Sequence, residues 1–232
     1  LNVFLFSILV WFSSFADNHS EAERTKQLIS PILLLSVVAL MNGISILFNI
    51  WDKFQLADIA GKIYMVVMAY FQVIITSYVC RFPGCKKTVF SKILVVLFLA
   101  LGFYITFFQI IDVSTSVTEG LVVKGKDFPY FGIRWDQVFE LVFLTGLPAI
   151  SMLSILFRVG TEKNKLHKQQ MLLMLGSVVL GWITFFAFGY VGVTLSPTFD
   201  LLLPFALAFE IFLIYKVVLH SALFDGKTLL AN

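Results

Sequence analysis

The chain has 232 residues, of which 59% are hydrophobic, 16% are aromatic and only 13% are charged. A soluble domain is typically about 45–50% apolar and about 25% charged, so this composition excludes a soluble globular protein. The many aromatic residues likewise exclude a disordered chain. The net charge of +3 comes without a basic cluster interleaved with aromatic residues, which argues against nucleic-acid binding.

Seven apolar segments follow one another along the chain. None alternates polar and apolar residues over about ten positions, as the strands of a membrane barrel do. Helices satisfy their own backbone hydrogen bonds in lipid. The pattern therefore predicts an all-α integral membrane protein, a bundle of seven transmembrane helices. The predicted spans are Leu1–Ala16, Leu28–Trp51, Ile63–Cys80, Ile93–Ile111, Gln137–Phe157, Met171–Val193 and Leu201–Leu219.

The first segment has a second interpretation, because Ser14-Phe15-Ala16 resembles a signal-peptidase site and cleavage there would leave six spans. Lysine and arginine accumulate on the cytoplasmic side of a membrane. With seven spans and an outer N-terminus, the cytoplasmic segments carry twelve of these residues and the outer segments five, whereas cleavage after Ala16 would reverse the sides. We therefore expect seven spans, an outer N-terminus and a cytoplasmic C-terminus, in a bacterial inner membrane.

The longest loop, Asp112–Asp136, joins the fourth and fifth spans on the predicted outer side. Two β-prone runs, Leu121–Val123 and Phe128–Ile133, flank the Gly-containing stretch Lys124–Asp127, which predicts an external β-hairpin. Binding residues favour loops, although most loops only connect. The hairpin is therefore either a lid that contacts a ligand or a cap on the bundle.

Five polar residues are predicted at membrane depth. Glu210 lies at the midpoint of the last span, where a charge costs on the order of 3 kcal/mol or more. The other four are Asn42, Gln72, Thr145 and Thr184. Their convergence would form a pocket for an unknown small ligand or a polar switch. The alternative is a protonated Glu210 that donates one hydrogen bond to a neighbouring helix.

Catalytic signatures are missing from the sequence. It contains no phosphate-cradling glycine loop, no Ser/His/Asp set and no metal-spaced His cluster. We therefore expect no enzymatic activity, no cofactor and no metal site.

Three stretches of the C-terminal half carry a family resemblance. They are the basic loop Arg158–Gln170 leading into Met171–Gly176, the segment Ser196–Asp200, and Tyr215–Asp225 with its Leu-Phe-Asp exit. With the predicted topology and hairpin, these stretches resemble the N-terminal seven-transmembrane sensory region of bacterial histidine kinases. That region also precedes cyclase-type output domains.

The resemblance implies a sensory input module of a two-component or related signalling protein. The transmembrane domain 1–219 would receive a stimulus and pass it through the last helix and the cytoplasmic exit segment 220–232 to an output domain or partner protein. We expect that output domain either after Asn232 or on a separate protein. The exit residues that would transmit the signal are His220, Leu223, Phe224 and Asp225. The resemblance also favours a homodimer, and membrane lipids are further expected partners.

Two other classes of function stay open. One is a non-catalytic structural subunit of a larger membrane complex. The other is a small transporter, which a single central carboxylate and the lack of an internal repeat disfavour.

Overall fold

A computed structural model of the protein describes residues 1–19, 26–84, 89–116, 120–192, 195 and 202–230. This part of the chain forms seven helices and a two-stranded sheet. The helices are α1 (Asn2–His19), α2 (Ile29–Ile50), α3 (Phe54–Val79), α4 (Val89–Tyr104, extended by a π-helical stretch Ile105–Gln109), α5 (Trp135–Thr161), α6 (Lys165–Phe186, extended by a π-helical stretch Ala187–Gly192) and α7 (Leu203–Leu230). The strands are β1 (Ile110–Ser116) and β2 (Gly120–Gly125).

Helices α2 to α7 are each long and apolar enough to cross a membrane, whereas α1 contributes the shorter apolar stretch Asn2–Ser14. The chain is therefore a multi-pass membrane protein, and the all-α prediction is confirmed for its spans. Large apolar side chains point away from the bundle, among them Leu153 and Phe157, which are 66% and 75% exposed. Lipid makes such exposure favourable.

The core of the bundle surrounds α3, the most deeply buried span. Helix α3 packs against α2, α4 and α5, while α7 packs against α6 and α2, and α1 lies on α2. Tyr64 and Phe71 of α3 are fully buried, as are Phe143 of α5 and Ile214 of α7. Because neighbouring helices run in opposite directions, the loops collect at two ends of the bundle.

The two ends differ in composition. We call the end that carries the sheet the hairpin end. We call the opposite end the basic end, since Lys26, Arg81, Lys92 and Arg158 lie there. At this end the Arg158 Nη1 donates hydrogen bonds to the carbonyl oxygens of Cys80 (2.7 Å) and Phe82 (2.8 Å). It thereby ties the last turn of α5 to the last turn of α3.

Helices α3 and α7 exceed their predicted bounds by the largest margins. Helix α3 begins at Phe54, whereas the predicted span begins at Ile63. The prediction began too late because Asp58 and Lys62 lower the hydropathy of the first turns of the helix. These residues form an ion pair of 2.7 Å at i,i+4 spacing, which favours the helix. Helix α7 continues past Leu219 to Leu230, so the predicted exit segment begins as more of the same helix.

The strand pairing corrects the predicted hairpin. The run Leu121–Val123 pairs antiparallel with residues 113–115 of β1, not with Phe128–Ile133. The first strand was missed because it follows α4 without an interrupting loop, and its inward residues Ile110 and Val113 are buried. Phe128–Ile133 forms a separate turn instead, which the Phe128 N–H closes by donating to the Ile133 carbonyl (2.8 Å).

Candidate functional site

The first strand of the hairpin is attached to α3 by two hydrogen bonds and a close contact. The Asp58 Oδ1 accepts a hydrogen bond from the Val113 N–H (2.8 Å), and the Lys62 Nζ donates to the Ile111 carbonyl (3.3 Å). A Cβ atom at Gly61 would lie 2.5 Å from the Val113 Cγ1. Glycine at this position therefore allows the sheet to rest directly on the helix.

The second strand is attached to α4 through Lys126. Its N–H donates to the Gln109 carbonyl (2.9 Å), and its Nζ donates to the Phe108 carbonyl (2.9 Å). The Lys126 carbonyl in turn accepts from the Trp135 N–H (3.0 Å) at the start of α5. The hairpin is therefore connected to α3, α4 and α5 at once.

An ion pair marks the start of α5. The Arg134 guanidinium forms two hydrogen bonds with the Asp136 carboxylate, from Nη2 to Oδ2 (2.6 Å) and from Nε to Oδ1 (3.1 Å). Asp136 is buried, whereas Arg134 is exposed. The hydrogen-bonded carboxylate raises the pKa of Arg134 above its ordinary value, so the guanidinium stays charged.

A cavity of about 350 Å³ lies beneath the hairpin. Its size falls within the range of about 300–1,000 Å³ that is usual for small-molecule sites, and its lining of mostly apolar groups with a few polar ones is also typical. The charged groups belong to Arg134, Asp136 and Glu140. The other residues of the lining are Tyr64, Met65 and Met68 of α3, Val122 and Val123 of β2, Phe139 and Leu144 of α5, and Leu203 of α7.

Irregular helix geometry concentrates around this cavity. The π-helical stretches Ile105–Gln109, Glu140–Gly146 and Ala187–Gly192 all lie at the hairpin end. Such stretches are rare and are frequent at functional sites. Two cavity residues, Glu140 and Leu144, belong to the second of them.

Glu210 lies deeper in the bundle on the helix that closes the cavity. Leu203, which lines the cavity, precedes it by two turns of α7, or about 10 Å along the axis. Glu210 is only 5% exposed, and a Cβ atom at Gly181 of α6 would lie 2.5 Å from its Cγ. Within the described part of the chain, its carboxyl group makes no hydrogen bond and no ion pair.

Gln72 occupies a comparable place on α3. It is 3% exposed and lies one turn, about 6 Å, beyond the cavity residue Met68. Its Oε1 has no hydrogen-bond partner among the described residues. Burial of an amide oxygen without a hydrogen-bond donor lowers stability by about 1–3 kcal/mol. A ligand or a rearranged neighbour that donates a hydrogen bond to the Gln72 Oε1 would therefore be stabilised.

The other predicted polar residues have different surroundings. Asn42 is buried on α2, on the same face as Ser45, whose Oγ donates to the Ala57 carbonyl (2.8 Å). Thr145 is half-buried, next in sequence to the cavity residue Leu144, and the Thr184 Oγ1 donates to the Leu180 carbonyl of its own helix (2.9 Å).

All five predicted polar residues belong to the described part of the chain. No hydrogen bond or ion pair connects any two of them there. The convergence of Glu210, Gln72, Asn42, Thr145 and Thr184 on a single pocket stays a prediction.

The predicted exit residues begin at the basic end. His220 is exposed and lines a groove of about 350 Å³ between the last turns of the span of α7 and the first turns of α6, together with Leu166 and Gln170. The side chains of Leu223, Phe224 and Asp225 lie outside the described residues, as does the segment Ser196–Asp200.

Sequence reasoning missed five charged residues of the hairpin end. Asp58 and Lys62 have a detectable signal, because their i,i+4 spacing is typical of a helical ion pair. Arg134, Asp136 and Glu140 have none, since the cavity arises only when α3, α5, α7 and the hairpin are assembled.

Two comparisons with known proteins find no relative from which a function could be assigned, so the function is inferred from the geometry. No protein-family model matches the chain, and no curated protein matches it. Among the described residues, no group of three or more His, Cys, Asp or Glu side chains could hold a metal ion.

Proposed function

We propose that the protein is a membrane-embedded sensory input module of a bacterial signalling system, located in the inner membrane. The hairpin end faces outward, and the basic end faces the cytoplasm. The distribution of Lys and Arg along the sequence supports this orientation, because the side with more of these residues is cytoplasmic. The N-terminus is then outside and the C-terminus inside.

In this proposal α1 is a seventh span. Its 18 residues correspond to about 27 Å of helix, close to the hydrocarbon thickness of about 30 Å. It packs within the bundle: the Phe12 ring contacts the Tyr215 ring edge-on with centroids 4.8 Å apart. At its other end, Asn2 contacts the Gly43 region of α2.

The cavity beneath the hairpin is the stimulus site. Its apolar lining from α3 and α5 suits an apolar group, and Glu140 with the Arg134–Asp136 pair suits a polar one. A small amphipathic molecule entering from outside would fit both. The three π-helical stretches support a site that changes shape, since π-helical geometry often marks functional positions.

One observation carries the proposal: α7 runs without interruption from the cavity wall at Leu203, past Glu210, to Leu230. A ligand changes a conformational equilibrium only when it binds two states differently. A shift of α7 against α6 at the Gly181–Glu210 contact would connect the cavity to the cytoplasmic exit. His220, Leu223, Phe224 and Asp225 would transmit that shift to an output domain or partner.

A chimeric kinase tests the proposal without knowledge of the ligand. The chain is joined after Leu230 to a histidine-kinase catalytic domain, and autophosphorylation is measured in native-lipid vesicles. Met68→Trp fills the cavity from α3, whereas Leu153→Trp adds the same side chain at a lipid-facing position that is 66% exposed. We expect Met68→Trp to change the autophosphorylation rate several-fold and Leu153→Trp to leave it unchanged.

Equal rates for both variants and the parent would contradict a sensory cavity. A structural subunit would instead purify from native membranes with a fixed set of other chains. A transporter would show solute flux in vesicles that is lost in Glu210→Gln.

A further inference from the structure

The basic end contains a cationic groove that the sensory proposal does not use. It has a volume of about 230 Å³ and lies between the first turn of α2, the last turns of α3 and the first turns of α4. Three cations line it, one from each of these regions: Lys26, Arg81 and Lys92. Ser30, Ser77 and Tyr78 add hydroxyl groups. Among the described residues, no Asp or Glu lines the groove.

The cations differ in how firmly they are held. The Arg81 Nε donates to the Ser77 carbonyl (2.7 Å), which fixes the half-buried guanidinium against the end of α3. Lys26 and Lys92 are exposed, and neither forms an ion pair with a described residue. Guanidinium and ammonium groups together with hydroxyls are the donors that bind phosphate esters in proteins. The groove volume of about 230 Å³ equals that of several water molecules of about 30 Å³ each, which leaves room for a phosphate group.

A second groove continues from the first and is almost wholly apolar. It shares Ser77, Arg81 and Val95 with the cationic groove and has a volume of about 190 Å³. Its floor is formed by Val73, Phe98 and Leu147. Beside it, α4 presents its lipid-facing residues, only 17% of that span being buried within the protein. A ligand that occupies both grooves has an anionic head and an apolar tail.

We infer that the two grooves together bind one anionic phospholipid, with its phosphate at Lys26, Arg81 and Lys92 and an acyl chain along Val73 and Phe98. Basic pockets between transmembrane helices are suited to anionic headgroups. The apolar groove distinguishes a lipid from a free phosphate ester, which would use only the cationic part. This site does not depend on the sensory role of the hairpin end.

Native mass spectrometry of the full chain in a neutral detergent tests the site. The protein is titrated with phosphatidylglycerol and, separately, with phosphatidylcholine of the same acyl chains. Each basic residue near an anionic lipid contributes a factor of about five in affinity. The Lys26→Gln/Lys92→Gln double variant is therefore expected to lose about 20–30-fold in phosphatidylglycerol affinity, with little change for phosphatidylcholine. Both lysines are exposed, so folding should be preserved.

The matched control is Lys163→Gln/Lys165→Gln. It removes the same two charges from exposed positions at the basic end that do not line the groove. Equal losses in both double variants would overturn the site, because they would indicate non-specific attraction to the charged end. Glycerol 3-phosphate distinguishes the source of the phosphate. Binding of this soluble ester as tightly as phosphatidylglycerol would overturn the lipid assignment.

Discussion

The hairpin end and the basic end of the bundle are built on different physical principles. At the hairpin end, three spans contain π-helical stretches, a sheet rests on α3, and a cavity separates the elements. At the basic end, α5 stops at Thr161, α6 begins at Lys165, and side chains cap the end of α3 and the start of α6. The Asn164 Oδ1 caps α6 by accepting from the Leu166 N–H (2.9 Å), and Arg158 closes α3.

This difference indicates which end can change shape. Helix ends whose orphan backbone groups already have side-chain partners resist rearrangement. Binding sites and moving elements come from the less stable parts of a structure. The hairpin end therefore combines the features expected of a responsive region, and the basic end those of a rigid frame that carries the proposed lipid site.

Arg158→Ala should have the largest effect on stability. It leaves two carbonyls at the end of α3 without their charged donor, which we expect to cost about 2–3 kcal/mol of unfolding free energy. Denaturant unfolding in detergent micelles measures it. Lys163→Ala, at an exposed site nearby, should change little. Equal stabilities of the two variants would show that the basic end is not held by this contact.

Gly181→Ala should come next. The added Cβ would lie 2.5 Å from the Glu210 Cγ and force α6 and α7 apart, at a cost of about 1–3 kcal/mol. Gly176→Ala is the control on the same helix, because a Cβ there meets no atom within 4 Å. A loss that is as large at Gly176 would point to helix flexibility rather than to the α6–α7 contact.

Asp58→Ala should have a smaller and local effect. It leaves the Val113 N–H without its acceptor and the Lys62 ammonium without its carboxylate, so we expect about 1–1.5 kcal/mol of local destabilisation. Hydrogen exchange of the β1 amides should accelerate while exchange in α5 stays unchanged. Asp58→Asn keeps an acceptor for the Val113 N–H, so the β1 amides should keep most of their protection from hydrogen exchange. Faster exchange throughout the bundle would contradict the separation of the two ends.

Glu210→Gln should leave unfolding almost unchanged, within about 0.5 kcal/mol, because the two side chains have nearly the same shape. It should nevertheless change the output of the chimeric kinase, since glutamine cannot change its charge. An unaltered kinase rate at every condition that changes the parent would remove Glu210 from the proposed switch.

The spans could be predicted from the sequence because hydropathy in lipid depends on long runs of residues. The ends of the spans could not be predicted, because charged residues such as Asp58 and Lys62 lower the hydropathy although they belong to the helix. The depth and burial of Glu210 and Gln72 followed from their positions in apolar runs. Their neighbours did not, because the contact between Gly181 and Glu210 depends on how two helices are placed side by side.

The pairing of the hairpin strands could not be predicted from the sequence either. The two strands are β-prone, but pairing is decided by which residues find a buried surface. Val113 is buried on α3 beside Gly61, and this surface exists only after the helices have assembled. Arg158 was predicted as part of a basic loop, whereas its geometry makes it a cap for a distant helix.

The unbroken length of α7 has a rotational consequence. Its 28 residues span about 42 Å, which exceeds the hydrocarbon thickness of about 30 Å. Each residue inserted after Ser221 would turn everything that follows by about 100°, while seven inserted residues would restore the azimuth to within about 20°. The spacing between Glu210 and the residues that follow α7 therefore sets the direction in which they face.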